Sequence, residues 1–472
     1  MKIRERKRLA EILPHPNLIG FGGGFMSLKQ EYKNKIVSAD EAVKVVKSGD
    51  WVDYSFCLGQ PVALDQALAL RKEELFDVKI RGGLRMAPLA VVDADPEREH
   101  FCYNSWHFSG LERQLSDKGL CNYIPMIYRN KPLHYRKSLD VDVAMLMVTP
   151  MDEYGNFNFS FTNSATKAIV EKAKIVIVEV NENLPRVIGG KENSIHLSEI
   201  DFIVEGNNPD IPVINPGKIS KEEIKIAALI AAEIPNGATI QLGIGGLPNA
   251  VGTMIAESDL EDLGFHTEML VDAYMVIDKA GKMTNKKKNI NMGKGVFSFC
   301  AGSNDLYEWV RDNRQIESYP INYVNDPAVM SQIDHFITIN NCIEVDLYGQ
   351  VASESAGKRH ISGTGGQLDF VTGGYLSNGG KSFIALTSTF VDKKTGELKS
   401  RLVPSLMEST AITNPRSQAH CLVTEWGIAD LAGRTTWERA ERIIQISHPS
   451  FHDELIKQAE KLGIWRKTNK RM

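Results

Sequence analysis

Short apolar runs alternate along this chain with stretches whose apolar positions recur at helical spacing. The runs at 78–80, 143–148, 174–180 and 202–204 are rich in Val, Ile and Met. Continuous runs of this kind predict strands buried on both faces, as in a parallel sheet. The segment 51–56 predicts a strand by alternation. Between these runs lie helix signals. Ser38 and Glu41 form a capping-box pattern, followed by Ala42, Val43, Val45 and Val46 and a stop near Gly49. A further helix runs through Leu64 and Leu68. Later strands are predicted at 337–349, 381–386 and 420–425, then a helical pair from Thr436 that ends in a basic, frayed tail. Strands and helices in alternation give an α/β architecture.

The texture changes at about 205–220. Asn207-Asn208-Pro209, Pro212 and Pro216-Gly217 make a proline-rich connection, and Ser220 with Glu223 then starts a new capped helix. The chain beyond this connection resembles its own opening. In the first copy, helix, Gly49, strand 51–56 and a turn lead to Gly59-Gln60-Pro61. In the second, helix, Gly237, strand 239–242 and a turn lead to Gly246-Leu247-Pro248. Any two βα turns share some of this, but the order of parts favours a duplication. The expected organisation is a flexible leader at 1–25, an N-terminal domain at 26–218 and a C-terminal domain at 219–472. Met26 is the expected true start, after Gly22-Gly23-Gly24. Twin halves commonly hold a site in the cleft between them.

Composition narrows the class. The chain has 472 residues, too many for one core, with 43% hydrophobic and 24% charged residues. A net charge of -4 gives no basic surface for nucleic acid or an anionic membrane. No run of about 18 apolar residues predicts a membrane span. The basic start, Met1 to Arg8, is followed by no secretory apolar core, so a cytoplasmic protein is expected. The 6 cysteines include no C-x-x-C pair, which predicts buried free thiols and no structural zinc.

The candidate nucleophile is Glu268, in Gly264-Phe265-His266-Thr267-Glu268-Met269-Leu270. This stretch reads as a turn after a helix-like segment ending at Gly264. Upstream lies the glycine-dense turn Gly243-Ile244-Gly245-Gly246-Leu247-Pro248. A carboxylate near such a turn suits attack on a carbonyl carbon, with backbone N–H groups holding the oxyanion. The plain reading of a lone Glu is a surface or capping residue. Neither this turn nor Gly363-x-Gly365-Gly366 is a dinucleotide fingerprint, since Pro248 and Leu368 occupy the third glycine place. Each is a ligand-approach turn or a plain tight βα turn. His266 reads as a structural hydrogen-bonding partner or a general base, and stays unassigned. Tyr103, Trp106 and His107 form an aromatic cluster, core first and cleft lining second. Lys286-Lys287-Lys288 reads as a solvated loop. Metalloprotease and serine-hydrolase motifs are absent.

Several motifs, in order, resemble the family I CoA-transferases of the acetyl-CoA hydrolase/transferase group. They are Gln241 to Val251, Leu263-Gly264-x-His266-Thr267-Glu268-Met269, Asp346-Leu347-Tyr348-Gly349-Gln350, Ser362 to Phe370 and Val423-Thr424-Glu425-Trp426-Gly427. Arg439-Ala440, His448-Pro449, Asn104 to His107 and Val180 to Arg186 add to them, and the resemblance spans about Met26 to Trp465. It implies two similar open α/β domains (CoA-transferase-like, NagB/RpiA-type) with the active site between them. It implies ping-pong CoA transfer between short-chain acyl-CoA and acetate, butyryl preferred. The intermediates are an acyl-glutamyl anhydride and a γ-glutamyl-CoA thioester on Glu268. CoA is then a substrate held covalently for part of the cycle, with no metal or redox cofactor. The implied CoA contacts are Gly243, Ile244, Gly245, Gly246, Leu247, Ile343 and Gly366, with Lys381 added. The implied partners are acyl-CoA and short-chain carboxylates, and the implied assembly is a homo-oligomer. Transfer to 4-hydroxybutyrate or propionate, thioester hydrolysis, and CoA binding without catalysis are the competing readings. Phe265 stands where the family has smaller residues, which implies a narrower acyl pocket.

Overall fold

The computed structural model describes residues 27–214 and 217–466. The expected leader at 1–25, the expected start at Met26 and the last residues of the basic tail lie outside them. The first half builds a seven-stranded sheet from β1 (Trp51–Asp53), β2 (Val78–Gly82), β3 (Phe101–Ser105), β4 (Asn122–Tyr123), β5 (Val143–Val148), β6 (Ile175–Val180) and β7 (Phe202–Glu205). Its order is β4-β3-β2-β1-β5-β6-β7, parallel throughout. The second half uses β8 (Thr239–Leu242), β9 (Gly264–Leu270), β10 (Gly295–Cys300), β11 (Ile316–Ser318), β12 (Phe336–Asn341), β13 (Lys381–Ala385), β14 (Cys421–Thr424) and β15 (Gly427–Asp430). Their order is β11-β10-β9-β8-β12-β13-β14-β15, parallel except for the last hairpin. Strand for strand, the second order repeats the first, and β1 matches β8 as the paired segments of the sequence imply. The α/β expectation and the twin open halves stand.

Burial explains the strands. All six positions of β5 and of β10 are buried, so both faces need apolar cover, which the flanking helices provide. Helix α1 (Lys221–Ala231) begins as expected. The Ser220 N–H donates to Glu223 Oε2 at 2.7 Å, and the Glu223 N–H donates to Ser220 Oγ at 3.1 Å. At Ser38 only half of the expected box forms: the Glu41 N–H donates to Ser38 Oγ, while the Glu41 carboxylate pairs with Lys44. The helix there is one turn of α-helix, Ala39–Ala42, followed by a 3-10 turn.

Three expectations fail locally. Gly264 starts a strand, so Glu268 lies within a sheet and not in a turn. The long strand expected at 337–349 breaks after Asn341. Its remainder, Glu344–Asp346, joins a separate small sheet. Side chains take up polar groups near the break: Asn341 Nδ2 donates to the Ile244 carbonyl and Arg401 donates to the Ile343 carbonyl. The Lys286-Lys287-Lys288 run is not all solvated. Lys288 is 1% exposed, and its Nζ donates to the carbonyls of Phe265 (2.9 Å) and Lys294 (2.7 Å). The buried Lys288 side chain, pushed down to about 7 by its burial, thus ties the start of β9 to the loop before β10.

The halves meet along the C-terminal ends of their strands. Phe56 packs edge-on against Phe299, with ring centroids 5.1 Å apart. The Ser164 N–H bonds the Ser298 carbonyl, the Ile321 N–H bonds the Ser164 carbonyl, and the Tyr128 N–H bonds the Gly365 carbonyl. Phe265 faces into the second half, 4.6 Å from the Tyr274 ring and against Gly295. A Cβ on Gly295 would overlap the Phe265 ring, although the backbone there is ordinary. Gly295→Ala is therefore expected to destabilise the protein by about 1–3 kcal/mol through overpacking. A shift of the denaturant midpoint at unchanged slope would show it; an unchanged midpoint would mean that the ring moves aside freely.

Candidate active site

Glu268 is the third residue from the end of β9, just past the level where Thr267 Oγ1 donates to the Leu242 carbonyl at the end of β8. Its neighbours on β9, Thr267 and Met269, are buried, while Glu268 keeps part of its surface open. Two donors hold the carboxylate. Asn325 Nδ2 donates to Oε2 at 2.6 Å. The Gly366 N–H, just before the helix Gln367–Leu376 (α4), donates to it as well. Asn325 follows the short helix α3 (Ile321–Val324), and His266 Nε2 lies 2.7 Å from the Val324 carbonyl as its donor. A helix α2 (Gly246–Glu257) follows the G-I-G-G turn. So β9 supplies both the carboxylate and, through His266, the anchor for one of its donors.

Burial dominates the electrostatics. It pushes the Glu268 carboxyl from an ordinary 4.5 up to about 7, against the pull of Asn325 and Gly366. The same cause drives His266 down to about 3, so this imidazole is neutral and does not serve as a base near pH 7.

Beside Glu268 opens a cavity of about 250 Å³. The first half contributes Phe56, Leu84, Trp106, His107, Met126 and Tyr128 to its wall. The second half contributes Phe299, Met269, Gly243 and Ile244 and the loop from Ser362 to Gly366. Burial also holds His107 down at about 4, so the wall there carries no imidazolium charge at neutral pH. The aromatic cluster thus lines the cleft through Trp106 and His107, and Tyr103 is core.

The comparisons agree with the motifs. Profiles of the acetyl-CoA hydrolase/transferase N-terminal and C-terminal domains match residues 25–215 and 302–459. The chain belongs to the acetyl-CoA hydrolase/transferase family. It is 54% identical to a butyryl-CoA:acetate CoA-transferase of Anaerostipes caccae, over 94% of this chain and 100% of that one. It is 38% identical to a 4-hydroxybutyrate coenzyme A transferase of Clostridium kluyveri, over 92% and 100%. The crystal structure of RipA from Yersinia pestis superposes with a TM-score of 0.85 at 34% identity, over 93% of this chain and all of that one.

Within this family fold the residues expected to touch CoA do not all gather. Gly243 and Ile244 line the cavity, and Gly366 touches Glu268. Ile244 is 49% exposed, an apolar side chain left open beside the site. Gly245 is exposed, with φ 123°, a conformation only glycine adopts without strain. Gly246 opens α2, and Leu247 is buried beneath it. Ile343 is half-buried just beyond β12 and does not line the cavity. Lys381 starts β13, at the opposite end of the sheet, and pairs with Glu233. Phe265 is fully buried away from the cavity, so it does not narrow an acyl pocket. Asn325, Phe56, Tyr128 and Phe299 carry no motif that marks them in the sequence; each belongs to a connection or strand whose distance from Glu268 along the chain hides its closeness in space. Among the described residues, one trio holds metal-ligating atoms within 4.8 Å of one another, His420, Cys421 and Asp430. It lies at the Lys381 end of the sheet. All six cysteines are free, and no helix among the described residues is long and apolar enough to cross a membrane.

The raised Glu268 carboxyl links pH to stability. Below 4.5 it is protonated both folded and unfolded. Between 4.5 and about 7 the unfolded chain sheds the proton and the folded one keeps it, so stability falls as pH rises and levels off above 7. Glu268→Gln is expected to stabilise the protein at pH 8 by up to about 3 kcal/mol, with little gain at pH 4.5. Urea unfolding at the two pH values checks this; an equal effect at both would remove the buried-acid account.

Proposed function

We propose that this protein transfers CoA between butyryl-CoA and acetate by a ping-pong route through Glu268. One observation carries the reading: a desolvated carboxylate, held by two N–H donors, at the wall of a mainly apolar cavity where the two halves meet. With Oε2 held by Asn325, Oε1 attacks the thioester carbonyl, the C–S bond breaks, and CoA leaves as thiolate. The product is an acyl-glutamyl anhydride. The thiolate then attacks the glutamyl carbonyl, and the carboxylate of the first acid departs. Negative charge develops on the glutamyl oxygen, where Asn325 Nδ2 and the Gly366 N–H already point. The first residues of α4 add the positive end of a helix dipole. The acceptor acid attacks the resulting glutamyl-CoA thioester, and the steps reverse.

The walls support the choice of acyl group. Phe56, Trp106, Tyr128, Met126, Met269 and Phe299 reward a short apolar chain, each buried methylene contributing about 0.8 kcal/mol. The Anaerostipes caccae relative carries the same substrates in its name. The turn at Gly243 to Gly246 offers a glycine-rich backbone along which a pantetheine arm can lie. Domains divided near residue 218 fit this plan, each supplying one wall.

Protein incubated with butyryl-CoA alone is expected to gain a covalent CoA adduct on Glu268, visible by intact mass. Glu268→Gln is expected to form none and to lose more than about a thousandfold in rate. An unmodified wild type that still turns over would sink the covalent route. CoA release with no acceptor acid present would favour a hydrolase, and an acceptor screen including 4-hydroxybutyrate would reassign the acid. Because the anion is the nucleophile, kcat/KM for butyryl-CoA is expected to rise about tenfold per pH unit up to about pH 7, then level. A flat profile from pH 5 to 8 would remove Glu268 as the titrating nucleophile.

A further inference from the structure

The loop that carries one of the two donors to Glu268 has no regular structure of its own. Ser362 to Gly366 runs as turn and coil between a short strand, Arg359–His360, and helix α4. Its shape is imposed from outside. The Phe108 N–H bonds the Ser362 carbonyl and the Tyr128 N–H bonds the Gly365 carbonyl, each at 3.3 Å and each from the first half. Among these contacts stands a carboxylate that the transfer chemistry does not use. Glu354 lies between two short strands, Val351–Ala352 and Ser355–Ala356, and is 7% exposed. Its Oε2 accepts from the Tyr123 hydroxyl at 3.2 Å and from Thr364 Oγ1 at 3.0 Å, and its Oε1 accepts from Thr413 Oγ1 at 3.1 Å. The backbone of Thr413 and Thr364 fixes where the protons go. Thr413 Oγ1 accepts from the Ser353 N–H at 2.9 Å, which leaves its own proton for Glu354. The Tyr123 oxygen accepts from the Thr364 N–H at 3.3 Å, which likewise leaves its proton for Glu354. Thr364 thus has both its hydroxyl and its N–H committed, and Gly366 follows two residues later. A buried carboxylate is costly unless its bonds are made, and a network in which they all are made is stiff. Tyr123 stands on the edge strand β4, so a donor of the second half is held from the first.

We propose that Glu354 is a positioning residue for the transfer reaction: through Thr364 and Tyr123 it sets the direction in which the Gly366 N–H meets Glu268. The proposal rests on the reading of Glu268 as the nucleophile. With the loop held, the same N–H faces the resting carboxylate and the oxyanion that develops on it as the thiolate attacks. Without Glu354, the Thr364 hydroxyl and the Tyr123 hydroxyl lose their common acceptor, and the peptide before Gly366 is free to turn. Burial, Asn325 and Gly366 set the Glu268 carboxyl, so loss of the Gly366 bond leaves burial less opposed. The other titratable groups around the two carboxylates are neutral near pH 7. Burial holds His266 at about 3, His107 at about 4 and His360 below its ordinary value, and it pushes the Tyr123 hydroxyl up to about 12 and that of Tyr128 well up. Two cations beside the loop are engaged elsewhere, Arg113 by the Ile361 carbonyl and Arg129 by Asp369.

The pH profile of kcat/KM for butyryl-CoA with acetate is measured for the wild type, Glu354→Ala, Glu354→Gln and Tyr123→Phe. Glu354→Ala is expected to move the midpoint up by roughly one pH unit, as loss of one N–H bond to a carboxylate does, and to lower the plateau by about tenfold or more. Tyr123 does not line the cavity, and Tyr123→Phe is expected to move the midpoint the same way. Glu354→Gln keeps an oxygen for Tyr123 and Thr364 and is expected to restore most of the wild-type midpoint. A charge acting through space has the opposite sign, because removing an anion lowers a neighbouring carboxyl. The proposal is overturned if the Glu354→Ala midpoint falls, if it stays in place while rate or stability drops, as for a merely structural residue, or if glutamine restores nothing. Urea unfolding tests the same link without turnover. At pH 8, Glu268→Gln is expected to raise the urea midpoint more in a Glu354→Ala background than in the wild type, because the folded carboxyl there is costlier to ionise. A wild type that transfers no CoA removes the proposed function, and the unfolding comparison still decides on Glu354: an equal rise in both backgrounds overturns its role. Where Glu354→Ala does not fold, Tyr123→Phe takes its place in both measurements.

Discussion

The seat of one carboxylate organises this molecule. Glu268 stands near the end of a strand of one half, faces the aromatic wall of the other, and takes hydrogen bonds from two further connections. Each contact pulls against another. The wall removes water and disfavours the anion, while Asn325 and Gly366 favour it. Had the donors won outright, the carboxylate would be a weak, well-stabilised base. Had burial won outright, it would be a neutral acid. The balance near neutrality leaves an anion that is available and poorly solvated.

The twin halves make this balance possible by dividing the labour. Both sheets run in the same strand order and present the same crest of strand ends. On the second crest stand the carboxylate, its donors and the glycine turn. On the first, the corresponding connections present Phe56, Leu84, Trp106 and Tyr128, a mainly apolar surface. A parallel sheet leaves its strand ends to loops, which vary without disturbing the core. A duplicated sheet therefore gives two crests, one free to carry reactive groups and the other free to exclude water from them.

The range of each interaction decides how much of this is legible in the sequence. Apolar runs and caps act over a few residues, so strands β1, β5, β6, β7, β13 and β14 and the cap at Ser220 are readable, and so is the pairing of β1 with β8. Strands β3 and β10 are not, because aromatic and small residues there blur the apolar signal. Glu268 is found from its motif, yet its setting reads as a turn, since Gly264 looks like a helix stop and is in truth where β9 begins. Asn325 lies 57 residues beyond Glu268. Nothing local marks it, because its role depends on His266 holding the Val324 carbonyl across the fold. Lys381 illustrates the converse: a lysine at a strand start says nothing about which end of the sheet the ligand meets, and the parallel register puts it at the far end.

The strand alternation that defines β9 also explains why its polar residues serve one purpose. Phe265, Thr267 and Met269 share one face, and His266 and Glu268 share the other. On that second face a neutral histidine and a raised carboxyl lie two residues apart, both desolvated. A charged histidine would draw the carboxyl down and make it half of an ion pair. Burial without a carboxylate partner keeps His266 neutral, and Lys288, close enough to disfavour a second cation, reinforces this. The ring therefore serves as a strut to Val324 and leaves the carboxylate to Asn325 and Gly366. Two lysines in this region, Lys288 and Lys131, are both buried away from the carboxylate itself, and burial pushes them down to about 7 and about 8: one is tied to backbone carbonyls, the other is boxed in by rings. Keeping both amines out of contact with Glu268 leaves its carboxyl to Asn325 and Gly366 alone.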